Sequence, residues 1–147
     1  MKVSLLDVNV LIALGWPSHV HHELAHQWFG AHSSAGWATC ALTQCGFVRI
    51  SSNPKIIPEA VTVQDALSVL RGFVASESHV FWPDDLPLTA SEFPSRLMMG
   101  HRQVTDAYLL GLAIRHGGQL VTLDRNVSAL LSSNSPDRDS LVVIPVE

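Results

Sequence analysis

Charge is scarce in this chain. Charged residues make up only 15% of the 147 residues, and the balance is acidic, with a formal net charge of -4 at pH 7. A protein that holds nucleic acid mainly through its own positive charge is therefore not expected, although an enzyme that meets phosphates through a metal ion is still allowed. So low a charged fraction also suggests that a partner covers part of the surface.

Cysteine and long apolar runs are also scarce. Two cysteines, Cys40 and Cys45, make no disulfide framework, and no further ligands at matching spacing would complete a metal clip. We expect both to be reduced and buried. No stretch is long and apolar enough to span a bilayer, and Asp7 interrupts the first apolar run, which argues against a secretory leader. The expected location is the cytoplasm.

Short apolar stretches alternate with helix-like stretches along the whole chain. This alternation predicts an α/β fold with a mostly parallel sheet, and the length suits a single domain over residues 1–147. Strands are predicted at 2–6, 37–40, 79–82, 119–123 and 141–146. Helices are predicted at 8–14 (unless this stretch extends the first strand), 19–31, 42–51, 62–75, 90–99 and 107–116.

The first apolar stretch, residues 4–14, contains one carboxylate, Asp7. Burying a carboxylate is unfavourable unless a partner or a metal ion neutralises it. Asp7 either caps a helix that starts at Val8, or ends a buried parallel strand at the edge where α/β sheets bind ligands. Both interpretations can hold together.

Three aspartates occupy comparable places. Asp7 and Asp124 follow predicted strands, and Asp106 opens a predicted helix. In a parallel sheet these positions share one edge, so the three carboxylates should converge there. Carboxylates that close repel one another unless a cation is present, and oxygen ligands favour Mg²⁺ or Mn²⁺. Taken singly, each aspartate is as well explained as a helix cap or turn residue.

Five segments, in order, resemble the PIN-domain ribonucleases, and in particular the VapC toxins of bacterial toxin–antitoxin pairs: LLDVNVLIAL, HQWF, ALTQCGFVRISSNP, RQVTDAYLLGLAIRHGG and LVTLDRNV. The resemblance implies a three-layer α/β/α domain with about five strands. It implies Mg²⁺-dependent cleavage of structured RNA (transfer or ribosomal RNA), neutralisation by a cognate VapB antitoxin, and a homodimer.

The resemblance also assigns residues. Asp7, Asp106 and Asp124 match the family's catalytic, metal-binding acids. Asn9 and Thr105 match positions that often support them.

One position departs from the family pattern. Gln44 stands nearest the place where a glutamate is usual, and a glutamine can hydrogen-bond a metal-bound water but brings no charge. Either three aspartates suffice, or Glu23 or Asp84 substitutes. Activity could be reduced, and a non-catalytic binding module is the alternative function.

Arginines beside the matched segments are candidates for guiding the RNA backbone. These are Arg49, Arg102 and Arg125. An ordinary solvated surface charge explains each of them equally well or better.

A competing motif is the literal H-E-x-x-H formed by His22, Glu23 and His26. On a helix this spacing places two histidines on one face for zinc, with the glutamate as general base of a metalloprotease. The surrounding segment is rich in histidine, which makes a chance match easier, and no third ligand follows at the expected spacing.

Overall fold

A five-stranded, wholly parallel sheet forms the centre of the computed structural model, which describes residues 1–146. The strands lie in the order β3-β2-β1-β4-β5, and every neighbouring pair is parallel. Their bounds are β1 Ser4–Leu6, β2 Trp37–Cys40, β3 His79–Trp82, β4 Gln119–Thr122 and β5 Leu141–Val143. The strands β1 and β2 are buried throughout, whereas the edge strands β3 and β5 are partly exposed.

Within residues 1–146, five α-helices connect or follow the strands. They are α1 Val8–Gly15, α2 His22–His32, α3 Ala41–Ser51, α4 Val63–Val74 and α5 Val104–Arg115. Thr62 caps α4 as its sequence predicts, since its hydroxyl accepts the backbone N–H of Asp65 at 3.0 Å. Helix α5 begins before the predicted cap at Thr105 or Asp106, because a short 3₁₀ turn, His101–Gln103, leads directly into it.

The helix predicted at 90–99 is wrong. This stretch consists of turns and irregular backbone. Pro94 has no backbone N–H and its ring clashes with a preceding turn, so a helix cannot run through it. The segment still contributes to the interior, because Phe93 is 7% exposed and packs against α5.

Apolar side chains leave the sheet on both faces. Leu5, Ala38 and Leu120 point into a core formed with α5. Leu6 and Val121, their neighbours in sequence, point into a second core formed with α1 to α4. This alternation is what a strand dictates, and it confirms the three-layer α/β/α architecture. That residues 1–147 form one domain stays a prediction, since Glu147 lies outside the described residues.

Close packing of α3 on α1 depends on one glycine. A Cβ built on Gly46 would lie 2.6 Å from a methyl carbon of Val8, so a larger residue here would force Val8 to move. The two cysteines differ in exposure. Cys40 is buried at the end of β2, whereas Cys45 is exposed on α3. The expectation that Cys45 is buried is therefore wrong, because it lies on the outer face of α3.

Within residues 1–146, no helix has the length and apolar character needed to cross a membrane.

Candidate active site

Asp7 lies where β1 ends and α1 begins. Asp7 is only 7% exposed, and its backbone N–H donates to the Val121 carbonyl across the sheet at 2.9 Å. One carboxylate oxygen accepts the backbone N–H of Val8 at 2.7 Å. The other accepts the Thr122 hydroxyl at 2.8 Å. Asp7 is thus both the helix cap and the carboxylate at the end of a buried strand, the two interpretations that its sequence left open.

Thr122 is the centre of a small buried network around Asp7. Its hydroxyl donates to Asp7 and accepts the Asn9 side-chain amide at 3.1 Å and the backbone N–H of Asp124 at 3.1 Å. The Asn9 carbonyl oxygen in turn accepts the backbone N–H of Leu123 at 3.1 Å. Asn9 therefore supports the cluster from α1. Thr122 was missed at the sequence level, although a threonine that closes an apolar strand two residues before an aspartate was an available signal.

Asp124 and Asp106 approach the same edge from different elements. Asp124 caps the 3₁₀ segment Arg125–Leu130, and its carboxylate accepts the backbone N–H of Asn126 at 2.9 Å. Asp106 lies in the first turn of α5 and is half-buried. Among the hydrogen bonds within residues 1–146, none involves the Asp106 carboxylate.

The three carboxylates affect one another's protonation. Burial, then the charges of Asp7 and Asp124, raise the pKa of Asp106 to about 6. Burial also raises the pKa of Asp7; the hydrogen bonds from Thr122 and Val8 oppose this effect and the charge of Asp124 adds to it. The sheet edge therefore brings together the three aspartates predicted from the sequence, at a distance where their charges repel.

This donor set fits a hard divalent cation in kind. All three side chains offer carboxylate oxygens, the ligands that Mg²⁺ and Mn²⁺ prefer, and their repulsion would be relieved by positive charge. In the part of the chain that the structure describes, however, no three histidine, cysteine or acidic side chains form a ready-made metal-binding group. The sheet edge therefore provides suitable ligand atoms, but its described side chains do not form a complete coordination site.

The other predicted supporting residues lie outside this hydrogen-bonded cluster. The Gln44 amide donates to the Thr39 hydroxyl at 2.9 Å, and that hydroxyl also contacts the His79 ring at 2.8 Å. Thr105 is exposed and lines a hollow beside the aspartates. The three candidate arginines, Arg49, Arg102 and Arg125, are exposed.

Neither acid considered as a substitute for the usual glutamate joins the cluster. Asp84 accepts the backbone N–H of Leu42 at the start of α3, at 3.2 Å. Glu23 is exposed in the first turn of α2. The charges that raise the pKa of Asp106 come from Asp7 and Asp124, and neither Glu23 nor Asp84 contributes.

The H-E-x-x-H segment has a structural explanation. The His22 and His26 rings pack edge to face with centroids 4.4 Å apart. His22 Nδ1 lies 2.7 Å from the Ala13 carbonyl, which ties the start of α2 to α1. A zinc site would need a third ligand, and residues 1–146 contain no group of three suitable side chains.

Comparison with known proteins shows the family of this chain. The PIN domain family matches residues 4–130, and the chain belongs to that family. Ribonuclease VapC38 of Mycobacterium tuberculosis is 50% identical over 128 residues, which span 87% of this chain and 89% of that protein. Ribonuclease VapC39 of the same species is 50% identical over 122 residues, or 82% and 88% of the two chains. Within the PIN family the chain thus falls among the VapC ribonucleases, which confirms the predicted endoribonuclease class.

Solved structures of low sequence identity share the fold. VapC20 of Mycobacterium tuberculosis, described as a sarcin-ricin loop cleaving toxin, superposes with a TM-score of 0.59 at 13% identity, covering 86% of this chain and 93% of that one. VapBC2 of Rickettsia felis, solved bound to a DNA fragment from its promoter, gives a TM-score of 0.61 at 12% identity and covers 96% and 98%.

Proposed function

We propose that this protein is a Mg²⁺-dependent endoribonuclease toxin that cleaves structured RNA, either transfer RNA or ribosomal RNA. The observation that carries the proposal is the meeting of Asp7, Asp106 and Asp124 at one sheet edge, close enough to raise the pKa of Asp106 to about 6. Like charges held together in a partly buried place are unfavourable unless the site binds a cation. The curated relatives at 50% identity, named as ribonucleases, supply the reaction class.

The aspartates would hold the cation and the reacting groups. Mg²⁺, when bound, supplies Lewis-acid polarisation of the scissile phosphate and lowers the pKa of a water molecule. Asp7 is the best-fixed arm, because Thr122 and Val8 hold both of its oxygens in place. Asp106 and Asp124 complete the acidic set, and Asn9 positions the end of β4 beside them.

Protonation of Asp106 would also control cation binding at the site. With a pKa of about 6, it carries a proton in part of its population at slightly acid pH. A protonated carboxyl group binds cations poorly, so cation binding displaces that proton. The proposal therefore implies that activity rises between about pH 5 and pH 7.

The proposal also includes a supporting residue and three arginines that would contact RNA. Asn9 acts through Thr122 and Leu123. Arg125, which follows Asp124 directly and is exposed, is the best placed of the three arginines to meet a phosphate. Arg49 and Arg102 are exposed as well, and their contribution is general attraction of the RNA backbone.

The partners follow from the family. We propose neutralisation by a cognate VapB antitoxin, homodimerisation and action in the cytoplasm, where transfer and ribosomal RNA are found. Support comes from the similarity to a VapBC toxin–antitoxin protein and from the low charged fraction of 15%, which leaves apolar surface for partners.

A non-catalytic RNA-binding or protein-binding module is the second candidate. It is favoured by Gln44 in place of an acid and by the lack, within residues 1–146, of a ready-made metal group. Such a module would bind RNA and leave it intact with Mg²⁺ or Mn²⁺ supplied.

Sequencing of new RNA 5′ ends tests the proposal. Wild type, Asp7→Asn and Asp65→Asn are induced in separate cultures, and the purified proteins are incubated with the same RNA in Mg²⁺, Mn²⁺ or chelator. Asp65 is an exposed acid on α4 and serves as a matched control. Discrete ends made by wild type and Asp65→Asn, and lost in Asp7→Asn and in chelator, would support the ribonuclease. Identical profiles for wild type and Asp7→Asn would reject it.

A further inference from the structure

A hollow of about 310 Å³ lies beside the acidic edge, on the side of the edge strand β3. Its walls are mainly apolar, and two of its side chains remain well exposed, Leu42 at 38% and Leu88 at 53%. The hollow is lined by Leu42, Asp84, Leu88, Val104, Thr105 and Tyr108. None of these six side chains belongs to the acidic cluster described above.

The only charged side chain in the lining is Asp84. The N–H of Leu42 donates to one Asp84 oxygen at 3.2 Å, and Tyr108 lines the same hollow. Burial and then the charge of Asp84 raise the pKa of Tyr108 to about 12, so the phenol keeps its proton. The hollow therefore presents a fixed hydrogen-bond acceptor between aliphatic and aromatic walls.

The segment that carries Asp84 is firmly held. The next residue, Asp85, contacts His116 at 3.1 Å and Arg115 at 3.8 Å at the end of α5. The His116 ring stacks on Trp82, the last residue of β3, with centroids 4.6 Å apart and planes 10° apart. These contacts connect the segment after β3 to the end of α5 and support the wall of the hollow that carries Asp84.

Continuity with the candidate active site comes from the first turn of α5. Val104 and Thr105 line the hollow, and Asp106, the next residue, joins the acidic cluster. Asp84 follows β3, which is two strands away from β1 and Asp7 in the sheet. Two strand spacings amount to about 10 Å, so an RNA strand lying on this edge can place a base in the hollow and a nearby phosphate at the aspartates.

We propose that this hollow binds one unpaired nucleobase of the RNA substrate next to the cleaved phosphate, and that Asp84 selects a base with an amino group. This inference rests on the proposed ribonuclease function and adds its specificity. Leu42, Leu88 and Tyr108 contact the faces of the base, and bases bind well between apolar and aromatic side chains.

The selectivity follows from the acceptor. Guanine offers two adjacent N–H donors to a carboxylate, and cytosine and adenine each offer an amino group. On the same edge of the base, uracil has a single N–H donor between two carbonyl oxygens, and these oxygens would face the negative charge of Asp84. The preferred order is therefore guanine first and uracil last at one position beside the cut.

Cleavage of a randomised single-stranded RNA pool with Mg²⁺ measures this order directly. For wild type, one position beside the cut should be enriched in guanine and depleted of uracil. Asp84→Asn keeps an oxygen to cap α3 and removes the charge, so it should reduce this bias by about tenfold, in the range that one base contact provides. Leu88→Ala should weaken cleavage of all sequences several-fold.

Two matched controls separate the hollow from its surroundings. Asp65→Asn removes an exposed carboxylate on α4, away from the hollow, and Leu97→Ala shortens an exposed leucine that lines a different hollow. Both should retain the wild-type base preference. An unchanged base preference in Asp84→Asn would overturn the proposal. Weaker antitoxin binding by Asp84→Asn or Leu88→Ala, with unchanged cleavage sites, would overturn it too.

A binding measurement distinguishes failure of this inference from failure of the ribonuclease function. Methyl NMR signals of Leu42 and Leu88 in wild type are followed while guanosine or uridine monophosphate is added. Larger shifts with guanosine, lost in Asp84→Asn, support the pocket even if no RNA is cut. RNA cleavage without such shifts or base preference retains the ribonuclease and rejects the pocket.

Discussion

The two arms of the acidic edge are held in different ways. On the β1–β4 arm, Asp7 and Asp124 both accept backbone N–H groups, and Thr122 connects them through its hydroxyl. On the α5 arm, Asp106 is half-buried and the described hydrogen bonds give its carboxylate no partner. One arm is fixed by hydrogen bonds, and the other is placed by its helix alone.

This contrast has a physical consequence. A carboxylate fixed by hydrogen bonds keeps its geometry whether or not a cation is bound, and those bonds lower its pKa. A carboxylate without partners gains no such compensation, so burial and neighbouring charge act on Asp106 unopposed. The first arm should therefore keep its geometry when no cation is bound, and protonation of the second arm should change with pH and with neighbouring charge.

Removing the charge of Asp7 should have the largest effect. Asp7→Asn keeps an oxygen to cap α1, so the protein should fold, but it removes the best-positioned anion. We expect the cleavage rate to fall by at least about 100-fold, the scale found when one preorganised electrostatic group is removed. The rate is measured on a defined RNA at saturating Mg²⁺. Asp65→Asn should match wild type, and a variant within tenfold of wild type would place the catalytic charge elsewhere.

Much of this first arm could be predicted from the sequence. A carboxylate directly after an apolar run leaves few options, and Asp7 proves to be both cap and strand end. Asp106 and Asp124 could be placed at the same edge because parallel strands end together. Thr122 could not be recognised, since a threonine in a strand is ordinary until its three hydrogen-bonding partners are known.

The β3 side of the edge was far less predictable. The stretch between β3 and α5 has no periodic apolar pattern, and Pro94 rules out the helix that was predicted there. Its conformation depends on distant contacts, such as Asp85 with Arg115 and His116, and local sequence does not encode these. The hollow around Asp84 and Tyr108 therefore appears only in three dimensions.

The second prediction concerns the hydrogen bonds of Thr122. Thr122→Val keeps the shape of the side chain but leaves Asp7, Asn9 and the Asp124 N–H without their shared partner. Metal affinity and activity should fall about 10- to 100-fold, as for residues that orient metal ligands, and unfolding free energy should fall by about 1–3 kcal/mol. Isothermal titration with Mn²⁺ and chemical denaturation measure these two effects.

Thr122→Ser provides the matched control because serine restores the hydroxyl while lacking the methyl group. It should recover most of the activity that valine loses. A loss in the serine variant with none in the valine variant would mean that packing of the methyl group, and no hydrogen bond, supports Asp7.

The third prediction concerns pH and the α5 arm. The pKa of Asp106 is raised from 3.8 to about 6 in the folded protein, so the folded state binds more protons than the unfolded state between these values. Stability without metal should therefore fall as pH rises from about 4 to about 6, and level off above that. The melting temperature in chelator, followed from pH 4 to pH 8, records this change.

Asp106→Asn isolates the contribution of that carboxylate. The variant should melt at a higher temperature than wild type at pH 7 in chelator, and its melting temperature should vary less with pH. Asp7, whose pKa is also raised, accounts for a remaining slope. A melting temperature of the variant that follows the wild-type curve would show that Asp106 does not interact with the other two acids.

The smallest effect is expected at Gln44. Its amide is hydrogen-bonded to Thr39, so Gln44→Ala should lower the unfolding free energy by about 1 kcal/mol through that lost bond and change the cleavage rate by less than about threefold. Gln44→Glu tests the position from the other direction. A glutamate that reaches the cation should increase Mn²⁺ affinity, whereas one that stays beside Thr39 should leave it unchanged. A tenfold loss in Gln44→Ala, together with tighter Mn²⁺ binding in Gln44→Glu, would assign Gln44 to the active site and extend the acidic edge across α3.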